Sequence, residues 1–162
     1  MSSTESSIDP RIYNSALKLL GRRAHGTEEL RRKLRKKGDP EEVDRVISEL
    51  QRKRYLDDRE FAYFRARSLC LNRHWGRLRI SLDLKNLGVD DKIIDDSLTR
   101  AKEEVPEEES LQKVIGVYLK LHGNPASVKD VKKLFDRCIR LGYHPEMVRD
   151  RLNTVFASIS WD

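Results

Sequence analysis

Tyr55-Leu56-Asp57-Asp58-Arg59-Glu60-Phe61-Ala62, then a polar helix, then Gly76-Arg77-Leu78-Arg79-Ile80, then a helical run closed by Gly88-Val89-Asp90-Asp91, is the stretch that decides the architecture. It holds the start and stop signals of three short helices. Asp57 with Glu60 three residues on reads as a capping box, followed by Phe61, Phe64, Leu69 and Leu71 as the apolar positions of the first helix. The middle helix, Gly76 to Leu87, is apolar on two sides, with Ile80, Leu84 and Leu87 on one face and Leu78 and Leu82 on the other. An outer helix needs one apolar face, so this one is expected between neighbours. Asp90 to Lys102 forms the third, with Ile93, Ile94, Ser97 and Leu98 inward.

The same grammar precedes and follows. Met1 to Ser7 is Ser-rich and too poor in apolar groups to offset the entropy of ordering, so residues 1–8 are expected to be a disordered tail. Asp9-Pro10 starts a helix with Ile12, Ala16 and Leu19 in a stripe that ends at Gly21. Gly26 and Thr27 open a second one on Leu30 and Leu34. Gly38-Asp39-Pro40-Glu41-Glu42 combines a helix-ending Gly, an Asp cap, Pro at the first position and Glu42 placed for a capping box, and Val43, Val46, Ile47 and Leu50 follow inward. On the far side, Glu103 to Glu107 reads as an acidic linker containing Pro106. Beyond it come Leu111, Ile115 and Tyr118, a break at His122-Gly123-Asn124-Pro125, a Ser127 cap with Val131, Leu134, Phe135, Cys138 and Ile139, a stop at Gly142, and a last helix from Pro145 with Val148, Leu152, Val155 and Ile159 in line. Trp161 has no assigned place.

A divergent repeat runs beneath this. In the second helix of each unit an apolar residue, a second one four residues later and a Gly four later again form a triplet: Leu30, Leu34, Gly38; Ile80, Leu84, Gly88; Leu134, Cys138, Gly142. Five residues past each Gly stands an apolar anchor of the next helix, Val43, Ile93 or Met147. The spacing predicts an all-α protein of three tandem three-helix repeats in an elongated, curved body, with repeats over 9–56, 57–102 and 108–160 and the linker at 103–107.

The chain has 162 residues, 38% apolar and 37% charged, with 7% aromatic and few Gly or Pro, which suits helices rather than a sandwich or barrel. Its net charge of +6 favours acidic partners: nucleic acid, an acidic protein surface or a nucleoprotein. No apolar run approaches the roughly 20 residues of a spanning helix, and the start lacks a signal-peptide pattern, so a cytoplasmic, membrane-independent protein is expected. Cys70 and Cys138 lack ligand spacing and read as reduced, partly buried thiols. His25, His74, His122 and His144 stand singly near helix boundaries, as turn or capping residues. The pairs Asp57-Asp58, Asp90-Asp91 and Asp95-Asp96 suggest a metal-dependent hydrolase, but the first two fall at helix starts, where Asp is favoured anyway. With no phosphate-cradling Gly loop, nucleophile elbow or HExxH, no enzyme activity and no cofactor or metal is expected.

Arg23-Ala24-His25-Gly26-Thr27-Glu28-Glu29-Leu30-Arg31-Arg32-Lys33-Leu34, Tyr55-Leu56-Asp57-Asp58 with Phe61-Ala62, and Gly76-Arg77-Leu78-Arg79-Ile80 with Leu84 and Gly88-Val89 occur in an order and at a spacing that resemble the RecX family of bacterial recombination regulators. The resemblance covers Leu17 to Leu98; beyond Glu108 it rests on length and helical pattern. The family usually has Ser where this chain has Gly26, which provides no side-chain acceptor, and Thr27 is expected to take over the cap. The resemblance implies three tandem three-helix repeats and a monomeric protein that binds the RecA recombinase filament on single- or double-stranded DNA within its groove. There it restrains ATP hydrolysis, strand exchange and co-protease activity, so modulating homologous recombination, DNA repair and the SOS response.

Between Arg11 and Lys37 ten cations face two carboxylates, Glu28 and Glu29, so the basic character is concentrated at one end. Arg31, Arg32, Arg35 and Lys36 on the second helix are candidate contacts for phosphates or acidic recombinase residues, although pairing of Glu28 and Glu29 with Arg32 and Lys33 would make part of this face an ordinary solvated one. Arg65, Arg67, Arg73, Arg77 and Arg79 form a second candidate group, with His74 and Trp75, around the central helix junction; Arg65 can instead snorkel beside its core, and Trp75 can either stack on a base or plug the junction. Two other classes stay open: a helix-turn-helix DNA-binding protein acting without a recombinase, and a helical adaptor that binds only protein.

Overall fold

The computed structural model describes residues 8–157, so the readings at Met1 to Ser7, Ile159 and Trp161 lie outside the described residues. Among the described residues the chain is all-α: α1 (Pro10–Leu20), α2 (Thr27–Leu34), α3 (Pro40–Arg52), α4 (Asp58–Arg73), α5 (Arg77–Asn86), α6 (Asp91–Glu104), α7 (Glu107–His122), α8 (Val128–Arg140) and α9 (Pro145–Val155). None of these helices is long and apolar enough to cross a membrane.

The helix starts follow the polar residues read as caps. The Asp9 carboxylate accepts from the Arg11 amide at 2.7 Å, Asp57 from Arg59 at 2.9 Å and Glu60 at 3.2 Å, and Asp90 from Lys92 at 2.9 Å. Two expected caps are incomplete. Asp39 makes no side-chain cap bond, leaving Pro40 to start α3, and the Glu60 carboxylate turns to Arg100 at 3.0 Å. Glu103 and Glu104 complete α6 and Glu107 opens α7, so Val105 and Pro106 alone separate the two helices.

Each run of three helices closes on its own apolar core. The first gathers Ile12, Ala16, Leu30, Leu34, Val43, Val46, Ile47, Leu50 and Leu56; the second Phe61, Ala62, Ala66, Ile80, Leu84, Val89, Ile94, Leu98 and Ala101; the third Leu111, Val114, Ile115, Val131, Leu134, Cys138, Tyr143, Val148, Leu152 and Phe156. All three triplets place their two apolar members in these cores.

Three readings need correction. On α4 Phe61 and Leu69 pack on the core as expected, beside Ala62 and Ala66, small enough for α6 to approach closely, while Phe64 is 58% exposed and Leu71 40%. On α9, Phe156 takes the buried position expected of Val155, which is exposed. On α5 only the Ile80–Leu84 face is buried; Leu78 and Leu82 are open to solvent, because its neighbours meet the ends of the helix rather than its second face.

Those neighbours define two junctions. At the first, Gly88, at φ +80°, lies on the first turn of α2, where a Cβ would stand 2.6 Å from the Glu28 side chain. The Thr27 amide there donates to Asp58 at 2.7 Å, and the Arg32 guanidinium to the Asn86 carbonyl at 2.9 Å. At the second, Gly142, at φ +93°, lies on the first turn of α5, and a Cβ would overlap the Arg79 backbone. The Gly76 amide donates to the Leu141 carbonyl at 2.8 Å and the Leu78 amide to Gly142 at 3.0 Å. Tyr143, fully buried, donates its hydroxyl to the His74 carbonyl at 2.9 Å. The three second helices thus run end to end: α8 closes onto the start of α5, and α5 onto the start of α2.

Candidate protein and nucleic-acid interface

The cations of α2 separate into two kinds. Its first turn leans on the second unit: the Gly26 Cα faces the Phe61 ring, where a Cβ would stand at 3.0 Å, and Asp58 caps Thr27. Thr27 therefore does not take over the cap; its hydroxyl accepts from Gln51 at 3.4 Å. Behind this turn sits a charged cluster that sequence reasoning missed. Glu29 is only 7% exposed, bound through both carboxylate oxygens to the Arg23 guanidinium and to Lys33 at 3.1 Å. Burial pushes the Glu29 carboxyl up, but the bonds from Arg23 and Lys33 outweigh it and bring it down to about 2. His25, 4% exposed, is held below the ordinary histidine range by burial and is neutral at pH 7: Nδ1–H donates to the Arg23 carbonyl at 2.9 Å and Nε2 accepts from Lys33 at 2.9 Å. The signal was the i, i+4 spacing of His25, Glu29 and Lys33, which reads equally well as a solvated helix face.

Arg31 joins Glu28 at 2.6 Å to Asp44 on α3 at 2.9 Å, and Arg32 crosses to the second unit as described. Both hold the structure together. Arg35 and Lys36, with Lys37 beside them, are exposed and have no side-chain partner among the described residues; the same holds for Lys18 and Arg22 near the end of α1, which the sequence reading did not single out. On α1 and α2 these cations are free to meet an anion.

The second group divides the same way. Arg65 grips Asp83 with two bonds of 2.5 and 3.0 Å, Arg67 meets Glu104 at 2.6 Å, where the Tyr63 hydroxyl also donates, and Arg77 meets Asp95 at 2.9 Å. Arg79 donates to the Arg140 carbonyl at 3.1 Å and lies over the Trp75 ring at 4.0 Å, so that Trp75 is a half-buried member of the second core with a covered face, serving as a junction residue. Arg73 is exposed and unpartnered among the described residues. His74 ends α4 in the left-handed conformation, φ 49°.

Among the described residues, no group of three or more His, Cys, Asp or Glu is placed to hold a metal ion. Burial pushes the Cys138 thiol up to about 11 and also raises that of half-buried Cys70, so both are protonated and poor nucleophiles at neutral pH. The arrangement suits binding through charge and shape.

Comparison with known proteins agrees with this organisation. Residues 13–50 match the domain described as RecX, first three-helix domain, and residues 57–98 the RecX second three-helix domain. The regulatory protein RecX of Chlorobaculum tepidum is 33% identical over 147 residues, 90% of this chain and 88% of that protein. That of Thermotoga petrophila is 34% identical over 88% of this chain and 83% of the relative, and that of Mycolicibacterium smegmatis 30% identical over 95% and 87%. The crystal structure of RecX from Lactobacillus salivarius superposes with a TM-score of 0.78 at 19% identity, covering 92% of this chain and 96% of that one, and so shares the fold.

Proposed function

The chain belongs to the RecX family of regulatory proteins, and on that premise we propose that it binds the RecA recombinase filament on DNA and restrains its recombinase, ATPase and co-protease activities, thereby modulating recombination and DNA repair. The observation that carries the reading is the family match over nearly the whole chain. The unpaired cations Arg35 and Lys36 support it, because exposed charge without an internal partner is available to phosphates or acidic side chains at little rearrangement cost. In this reading the protein acts as a monomer, without cofactor, through its three three-helix units. A helix-turn-helix protein reading a DNA groove through α5 is disfavoured, since that helix presents Leu78 and Leu82 to solvent where base-reading polar groups would stand.

The test is binding and ATPase inhibition on preassembled RecA filaments, beside binding to bare single- and double-stranded DNA at the same salt. Preferential filament binding with falling ATPase supports the regulator; equal binding to bare DNA with ATPase untouched makes it a general nucleic-acid binder. The structure also divides the four α2 candidates. Arg35→Gln with Lys36→Gln is expected to weaken binding at unchanged melting temperature, whereas Arg31→Gln with Arg32→Gln should lower melting as well.

A further inference from the structure

The outer face of α8 carries charge that the fold leaves unused. On this helix Val131, Leu134 and Cys138 are buried and Phe135 and Ile139 pack beside them, which leaves the opposite face to Lys129, Lys132, Lys133, Asp136, Arg137 and Arg140, all exposed. Lys129, Lys133, Arg137 and Arg140 follow one another at i, i+4, i+8 and i+11, with Lys132 beside them. Lys133 pairs with Asp130 at 3.2 Å. The other four cations have no carboxylate partner among the described residues, and Asp136, four residues from both Lys132 and Arg140, bonds to neither. Along about 16 Å of helix, five cations thus meet two carboxylates, Asp130 and Asp136. The row is preformed: Ser127 caps the start of α8, and the Leu141 and Gly142 carbonyls just past its end receive the Gly76 and Leu78 amides.

We propose that this face of α8 is a contact for the phosphate backbone of single-stranded DNA, made by the third unit through charge and without reading bases. An acidic protein surface is the wrong occupant. Every apolar residue of the helix except Val128, at its first position, packs on the core, so the face lacks the apolar centre that a protein interface buries. Phosphates need only the cations. Over about 16 Å one DNA strand carries about five phosphates, which matches the length of the row. A flexible single strand can follow that row from end to end, whereas a duplex is stiff over this distance and meets a convex helix at few points. The inference stands apart from the recombinase reading, because bare DNA is enough to test it.

The experiment uses the full chain with Lys129→Gln, Lys132→Gln, Arg137→Gln and Arg140→Gln, exposed positions where Gln keeps nearly the same helix propensity. Affinity for an unstructured single strand and for a duplex of equal length is followed across salt, with melting alongside. Lys92→Gln, Lys102→Gln, Lys113→Gln and Arg149→Gln, also exposed, make the same change of net charge elsewhere and serve as the control. The expected result is a wild type that prefers the single strand and a variant that binds it roughly tenfold or more weakly at about 0.1 M salt, with a log–log salt slope shallower by about two to three. The control and the melting temperature stay unchanged. Should the fourfold variant melt early, each single substitution is expected to lower the slope by about 0.7 instead. A wild-type chain that does not bind the single strand, a variant that binds it as the wild type does, an equal loss in the control, or a preference for duplex overturns the proposal. A variant that keeps its affinity for bare DNA and loses it for recombinase filaments also overturns it, by giving the face to an acidic protein surface, and leaves the functional reading standing.

Discussion

The two junctions follow one plan in different materials. In both, a left-handed glycine at the end of one second helix lies on the first turn of the preceding second helix. Between units one and two the fastening is by side chains: Asp58 caps Thr27, Arg32 reaches Asn86, and Gly88 faces the Cβ and Cγ of Glu28. Between units two and three it is chiefly backbone on backbone, with Gly76 and Leu78 amides on Leu141 and Gly142 carbonyls and glycines on both sides of the contact. Peptide groups have fixed positions and side chains have rotamers. The second junction is therefore the stiff one, and the first is adjustable.

That contrast can be broken by substitution. Gly142→Ala combines a strained left-handed backbone with a clash against the Arg79 main chain, which cannot step aside; we expect a loss of about 3 kcal/mol in urea unfolding. Gly88→Ala adds the same left-handed strain and meets the Glu28 Cβ and Cγ, of which the Cγ can swing aside and the Cβ cannot, so about 2 kcal/mol is expected, less than where the backbone itself is the obstacle. Equal losses would erase the distinction. Asp58→Ala, which removes a cap supplied across the first junction, should cost about 1 kcal/mol, with hydrogen exchange at the start of α2 accelerated and α8 unaffected. Acid sharpens the comparison most finely. Because the Glu29 carboxyl lies well below its ordinary value of 4.5, at about 2, its contribution is complete above the ordinary value and disappears as pH falls through 2. Amide exchange followed from pH 5 to pH 2 should show α2 loosening over that interval in the wild type, and Glu29→Gln should abolish the pH dependence while leaving α2 less protected throughout.

Much of this was legible because glycine and polar caps are local signals. The triplets ending at Gly88 and Gly142 marked the junction residues, and the Asp and Pro starts gave the helix order. The partners of those glycines were hidden, since Glu28 and Arg79 lie some sixty residues away and nothing in their own surroundings marks them. The face of α4 was half read for a related reason: Phe61 and Leu69 do pack on the core, but Phe64 and Leu71 were taken as interior where the small Ala62 and Ala66 stand against α6. The two-sided α5 showed that apolar residues on a helix can face solvent as well as a core. Within the candidate site, basic composition was visible, but which cations were free depended on acceptors such as the Asn86 and Arg140 carbonyls, which every residue type carries equally.

The N-cap residues of the second helices are Gly26, Gly76 and Ser127, and only the last of these three brings its own acceptor, bound by the Asp130 amide at 3.3 Å. The other two borrow theirs from the following unit. Synthesis runs the opposite way. As the chain leaves the ribosome, α2 waits for Asp58 and α5 waits for the turn at Gly142, while α8 is finished as soon as it emerges. Completion therefore travels backwards, from the last unit made to the first, and a nascent chain stopped after α6 would carry a central helix with its first turn still open.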